Sequence, residues 1–250
     1  MSLEPKMRIS VLKKVHFFLK DLLISKIYSL CTNNNSDKIF MFHSIIQGET
    51  DSSSYSSSIG DFERLLVYLK SNFNAFSLYD LVTKSHKNGF AITFDDGYAG
   101  VYDLAFPVLC KHGIPFTVFV TTDYIGTPGY LSYRQLMSIS ECKLCTIGSH
   151  TVNHPMLRFC KDGFFEIRES KHRLENLLKH EIDLFAYPYG SVFACSHKNV
   201  KCVKRCGFRY AFSAVDLPLN CISKKRKFFI PRINGDTYIE KNMHSLLGGN

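Results

Sequence analysis

An α/β barrel of parallel strands, closed or nearly closed and folded as one domain, is the architecture the sequence predicts, on three observations. Short apolar runs alternate with helical-period segments of roughly 10–15 residues, the pattern of strands joined by crossover helices rather than hairpins. The chain length of 250 residues suits a single barrel. No Pro-rich or Gly-rich linker divides the chain, and no internal repeat is visible.

The elements follow in order. Between residues 9 and 30, Leu12, Val15, Leu19, Leu22, Leu23, Ile27 and Leu30 recur at helical spacing with lysines among them. This is a basic amphipathic helix, which either packs across the domain or lies on an anionic membrane surface. A polar break over 33–37 sets the expected boundary, with the helix in residues 1–36 and the main domain in 37–250. Residues 38–42 read as a buried strand ending at His43, and the Ser-rich 51–58 as a loop. Helices over 62–69 and 78–86 come next. Strands over 90–94, 115–121, 145–149, 183–187 and 210–213 then alternate with helices over 101–112, 132–140, 164–180 and 196–206. An apolar segment, 228–233, precedes a short helix over 237–247.

A content of 45% hydrophobic and 21% charged residues provides a sizeable core and excludes wholesale disorder. Nine scattered cysteines, an odd number, do not read as a disulfide framework and point to a reducing compartment. Lys13, Lys14, Lys20, Asp21 and Lys26 interrupt the apolar N-terminal stretch, so neither a membrane span nor a signal peptide is expected. A cytoplasmic location follows, with the inner membrane face as an extension of it. The net charge of +9 suits nucleic acid, an anionic membrane or an acidic saccharide. No nucleic-acid motif accompanies the lysines, and no nucleic-acid partner is expected.

Three segments carry chemistry, each at the C-terminal end of an expected strand, the face where such barrels gather their sites. In Thr93-Phe94-Asp95-Asp96-Gly97-Tyr98 two adjacent carboxylates follow an apolar strand. Their side chains point apart on an extended backbone and can serve two roles, although Asp-Gly is also a common turn. In Gly148-Ser149-His150-Thr151-Val152-Asn153-His154-Pro155 two imidazoles four residues apart can converge on one metal if the backbone turns. Pro155 disfavours a helix there. With a carboxylate from another strand end, two histidines leave a coordination position open for water; the plain alternative is two unrelated surface histidines. In Phe185-Ala186-Tyr187-Pro188-Tyr189-Gly190 the proline fixes a turn and the glycine permits close backbone approach, so that the Tyr189 amide can face a ligand. Alone, this is equally a packed loop.

The three motifs together, in this order and over about residues 39–234, resemble the polysaccharide deacetylase family, the group of carbohydrate esterases homologous to nodulation-type chitooligosaccharide deacetylases. The resemblance is strongest to the poly-N-acetylglucosamine deacetylase branch, with Met41-Phe42-His43 opening the domain and Phe185 to Gly190 in the third motif. It implies a distorted barrel of about seven strands in one domain and a divalent metal, most often zinc. Asp96, His150 and His154 match the metal ligands, and Asp95 matches the catalytic base. The Tyr189 amide would hold the oxyanion, with Pro188 and Tyr98 beside the substrate.

Two departures stand out. Ala186 occupies a place where many members carry an arginine that orients the catalytic carboxylate, and Arg232 in Ile230-Pro231-Arg232-Ile233 is the candidate substitute. Most members place the general-acid histidine in a C-terminal Leu-x-His segment, which is absent here; in the poly-N-acetylglucosamine branch it comes from the N-terminal segment, and that resemblance nominates His43 as the general acid. The plain alternatives are a surface ion pair for Arg232 and a half-buried strand-end histidine for His43. With no Trp in the chain, Tyr98, Tyr130, Tyr133, Tyr187 and Tyr189 are the aromatic candidates for stacking on sugar.

The expected activity is metal-dependent N-deacetylation of an acetylated amino sugar, in a glycan or lipid-linked precursor of cell-surface glycan biosynthesis, with an Asp base and a His acid assisting attack by metal-bound water. The competing reading is a non-catalytic glycan-binding protein of the same fold.

Overall fold

Every apolar run from residue 38 onward that reads as a strand becomes part of one parallel sheet. The structure, a computed structural model, describes residues 36–48, 56–84, 86–219 and 227–246. The basic helix expected over 9–30 lies outside them. Strand β1 (Lys38–Phe42) pairs with β5 (Gly89–Phe94), β5 with β6 (Phe116–Val120), and β6 with β7 (Cys145–Ser149). The sheet continues through β8 (Leu184–Ala186) to β9 (Tyr210–Phe212). On the other side of β1 lies the two-residue β10 (Ile233–Asn234), and the short β4 (Asn74–Ala75) adds to the start of β5.

The segment that carries β10 also reaches the far edge of the sheet. Ile230 N–H donates to Ala211 O at 2.9 Å and Ser213 N–H donates to Ile230 O at 2.8 Å. Residues 230–234 therefore run from β9 to β1 and join the two edges across a short, irregular seam. This is the distorted barrel, and the seam is the apolar segment expected over 228–233.

The strands β5 and β6 are buried at every position, as parallel strands covered on both faces must be. One face meets the helices through Phe40, Phe42, Ile92, Phe94, Phe116 and Val118. The other fills the barrel with Ile39, Ala91, Phe119, Leu184, Ala186 and Phe212. Leu78, Leu81 and Val82 of helix α2 (Leu78–Thr83) belong to this inner cluster and plug it. Side chains alternate between faces along a strand, so Ala91, Thr93 and Asp95 form one inward row.

The helices begin where the chain supplies caps. Ser58 accepts from Asp61 N–H at 3.1 Å and starts α1 (Ile59–Asn72), whose buried Phe62, Leu65, Leu66 and Leu69 form one stripe. Helix α4 (Tyr133–Ser140) and helix α6 (His197–Arg205) each open with a capping box, Ser132/Gln135 and Ser196/Asn199. Helix α5 (Gly163–Leu178) is capped by Asp162, and helix α7 (Gly235–Leu246) follows β10 directly.

Three features differ from the sequence expectation. The tail of the Ser-rich tract is strand β3 (Ser56–Ser58), paired in parallel with β2 (Ser44–Ile46). The segment expected as one helix over 101–112 opens with a π-helical stretch, Val101–Ala105, before α3 (Phe106–His112). Pro107 has no N–H to offer Asp103, and Phe106 N–H reaches back to Val101 O. The second helix stops at Thr83 instead of continuing to residue 86.

Candidate active site

The ladder between β1 and β5 ends where Asp95 N–H donates to Phe42 O at 2.9 Å, with the Asp95 side chain on the inward row. Asp96 then turns into the left-handed region (φ 69°), followed by Gly97 (φ 84°). The two carboxylates thus diverge because the second residue leaves the strand, and not through the extended alternation that the sequence suggested. Asp95 is 3% exposed and Asp96 7%.

At the end of β7, His150 is buried, and its Nδ1 lies 2.8 Å from Ala186 O. A carbonyl only accepts, so Nδ1 donates there and Nε2 is the nitrogen turned towards Asp96. The loop beyond turns through Thr151 (φ 73°) and His154 (φ 57°), and His154 N–H donates to Thr151 Oγ1 at 3.1 Å. His150 Nε2 stands 3.5 Å and His154 Nε2 3.3 Å from Asp96 Oδ1. Burial and the neighbouring His150 together hold His154 down to about 4, neutral at physiological pH.

Asp96 Oδ1 is buried without a hydrogen-bond partner and faces the Nε2 atoms of both imidazoles. A cation held between them would satisfy that buried acceptor. The three ligand atoms lie within 4.8 Å of one another, so the donor set fits a divalent metal of the kind expected, with zinc suited to two imidazoles and a carboxylate.

Asp95 borders this group without joining it, its Oδ2 4.0 Å from His150 Nε2. Arg232, fully buried at the seam, grips it with two parallel bonds, Nη1 to Oδ1 and Nη2 to Oδ2, both 2.7 Å. Two further donors are also used: Nη1 reaches Thr93 Oγ1 at 3.2 Å and Nε reaches Ser213 O at 2.9 Å, while the guanidinium lies 5.4 Å from the centre of the Phe119 ring. Burial alone would raise the Asp95 carboxyl, but Arg232 and then His150 outweigh it and bring it down to about 2. Arg232 is therefore no surface residue. Ala186, where many members of the family carry an arginine, faces the barrel interior and offers its carbonyl to His150.

His43 sits just past β1 with its Nδ1 3.9 Å from Asp236 Oδ2. Asp236 in turn accepts from Ser57 Oγ, the one buried residue of β3. Burial works to lower the His43 pKa, yet Asp236, Asp95 and Asp96 prevail and raise it. Sequence reasoning missed Asp236, because an acid in the first turn of a helix reads as ordinary dipole compensation. The signal available was Gly235 beside it: a Cβ there would collide with the Phe42 ring, so only glycine brings Asp236 this close to β1.

In the third motif Pro188 is buried, and Tyr189, 56% exposed, takes a left-handed turn (φ 59°) with its ring 4.8 Å from that of His154. A side chain at Gly190 would strike Ala214, which fixes glycine there. Arg158 donates to Val192 O at 2.9 Å and also to Phe193 O and Cys195 O, tying this loop to the one after β7. Among the described residues, Asp96, Thr151, His154 and Tyr189 are four of six non-glycine residues at positive φ. Such strain, of order 1–3 kcal/mol each, gathers at functional sites. Of the aromatic candidates, Tyr187 is core, its hydroxyl bonded to Phe228 O at 2.9 Å, whereas half-buried Tyr98 stacks on Tyr130 at 4.7 Å near Asp96. Tyr133 is exposed on α4.

Residues 83–211 match the family described as polysaccharide deacetylase. The chain is 31% identical over 199 residues to the poly-beta-1,6-N-acetyl-D-glucosamine N-deacetylase of Staphylococcus epidermidis, covering 71% of this chain and 68% of that one. To the Staphylococcus aureus (strain MRSA252) protein of the same name it is 26% identical, covering 72% and 67%. Among solved structures, IcaB from Ammonifex degensii superposes with a TM-score of 0.71 at 22% identity, over 86% of this chain and 97% of that one, a likeness of fold. With the three motifs at the C-terminal ends of β5, β7 and β8, the chain belongs to the polysaccharide deacetylase family, hydrolases that act on N-acetyl amide bonds.

Proposed function

We propose that this protein is a metal-dependent N-deacetylase of a polysaccharide containing N-acetylglucosamine. The observation that carries the reading is the buried, unpartnered Asp96 Oδ1 facing two imidazole nitrogens, beside an Asp95 that Arg232 keeps ionised. When bound by Asp96, His150 and His154, a divalent ion supplies Lewis acidity to the acetamide carbonyl and to a water molecule. The chain's own residues do the rest. Asp95, ionised throughout the neutral range, accepts the proton that the attacking water gives up. The Tyr189 N–H is the donor that meets the carbonyl oxygen as it gains charge, in the turn that Pro188 opens. His43, its pKa raised by Asp236 and the site carboxylates, is the group that protonates the departing amine as the C–N bond breaks and acetate forms. Tyr98 and Tyr189 flank the site as surfaces for the sugar ring.

The names of the Staphylococcus relatives favour the polymer over a lipid-linked precursor as substrate. A peripheral cytoplasmic location, with residues 9–30 on an anionic bilayer, belongs to the same proposal and rests on the sequence alone.

Two outcomes are expected. Zinc titration should saturate at about one ion per chain, and the His150→Ala, His154→Ala double variant should lose that binding; full affinity in the double variant would remove the assignment. In the pH dependence of kcat, Asp236→Asn should move the alkaline limb to lower pH, because the neighbour that raises the His43 pKa has lost its charge. A limb that stays in place would return His43 to a structural role.

A further inference from the structure

The loop that supplies both histidine ligands is held from below by a helix the mechanism does not use. Glu166, in the first turns of α5 and only 6% exposed, accepts two backbone N–H groups through one carboxylate oxygen: Val152 at 3.0 Å and Asn153 at 3.2 Å. These are the residues between Thr151 and His154, the two left-handed positions of the loop. One turn further along the same helix face, buried Ser170 Oγ meets Ser149 Oγ at 2.7 Å, at the end of β7 just before His150. A polar face of α5 thus pins the chain on either side of His150.

We infer that Glu166 is a positioning residue that sets the Thr151–His154 loop, so that His154 Nε2 stands ready beside Asp96 Oδ1 before any ion arrives. A buried carboxylate is costly to keep in a helix that could pack with an apolar residue. Here it meets two N–H groups that a loop with two left-handed residues cannot satisfy internally, and ionised acceptors make the stronger hydrogen bonds. His150 needs less help, since the β7 ladder and the Ala186 carbonyl already orient it. The burden therefore falls on His154, whose ring is otherwise carried by a strained loop.

This inference rests on the proposed metal site, and the test separates the two. Zinc affinity is measured by competition with a chromophoric chelator for the wild type, Glu166→Ala, Glu166→Met and Glu166→Gln, with circular dichroism and the melting temperature of the metal-free protein recorded for each. Loss of an outer partner of a ligand is expected to weaken zinc binding about 10–100-fold in the Ala and Met variants. Glu166→Gln keeps an oxygen that both N–H groups can reach and should restore affinity to within a few-fold of wild type. Glu166→Met preserves volume in the buried site and carries the test if the Ala variant does not fold. Wild-type zinc affinity in a folded Ala or Met variant would overturn the positioning role and leave the metal site standing. Absence of zinc binding in the wild type would overturn the metal site itself.

Discussion

Arg232→Ala should be the most damaging single change in the barrel. It removes the guanidinium from a carboxylate that is 3% exposed and holds both of its bonds to that one partner. Breaking a buried ion pair from one side costs about 3–5 kcal/mol, which for a chain of this size lowers Tm by roughly 6–20 °C. The sign with pH is fixed by the direction of the shift. The Asp95 carboxyl lies at about 2 in the folded state, below its usual 3.8, so the pair contributes its full stability above pH 4 and loses it as pH falls towards 2. In the variant the largest influence that lowers it is gone, the carboxyl rises, and the acidic limb of kcat/KM moves to higher pH. Arg232→Lys keeps the charge but loses the fork and should fall between the two. A thermal melt and a pH–rate profile check both statements; an unchanged Tm and acidic limb would show that Asp95 does not depend on Arg232.

Asp95→Asn and Asp96→Asn should fail in different ways although the residues are adjacent. Asp95→Asn removes the proton acceptor, and loss of a general base costs about 100-fold or more in rate. Its metal content should be unchanged, and it should melt at lower temperature because Arg232 keeps only a neutral partner. Asp96→Asn should lose zinc affinity by more than the roughly 10–100-fold that an outer partner is worth, since it removes the ligand charge itself. Elemental analysis alongside turnover separates them. Equal metal loss in both variants would mean that the two carboxylates have been assigned the wrong way round.

Much of this is legible in the amino-acid sequence. Apolar runs separated by helical segments mark the parallel strands, because strands buried on both faces leave no room for polar alternation. The ligand loop is legible from His150 and His154 because Pro155 follows directly and disfavours the helix that their four-residue spacing would otherwise suit. What stayed hidden depends on tertiary closure. Ser56–Ser58 has no apolar content to betray a strand, and exists as one because its backbone pairs with Ser44–Ile46. The irregular seam over 230–234 belongs to no periodic pattern, yet it delivers Arg232 to Asp95 and, four residues on, Asp236 to His43. His43, Arg232 and Asp236 all lie outside residues 83–211, the segment that matches the family. Glu166 was invisible for a related reason: an acid near a helix start looks like a response to the dipole, and only the fold shows that its carboxylate points into a loop.

Release of acetate from an N-acetylated saccharide is the direct measure of the proposed reaction. Purified protein loaded with zinc and incubated with an oligomer of N-acetylglucosamine should release acetate and expose free amines in equal amounts. A chelator should stop the reaction and added zinc restore it, while Asp95→Asn should retain the ion and lose the turnover. Folded wild-type protein that binds zinc at Asp96, His150 and His154, binds the saccharide and yet releases no acetate would contradict the account and identify a glycan-binding protein instead.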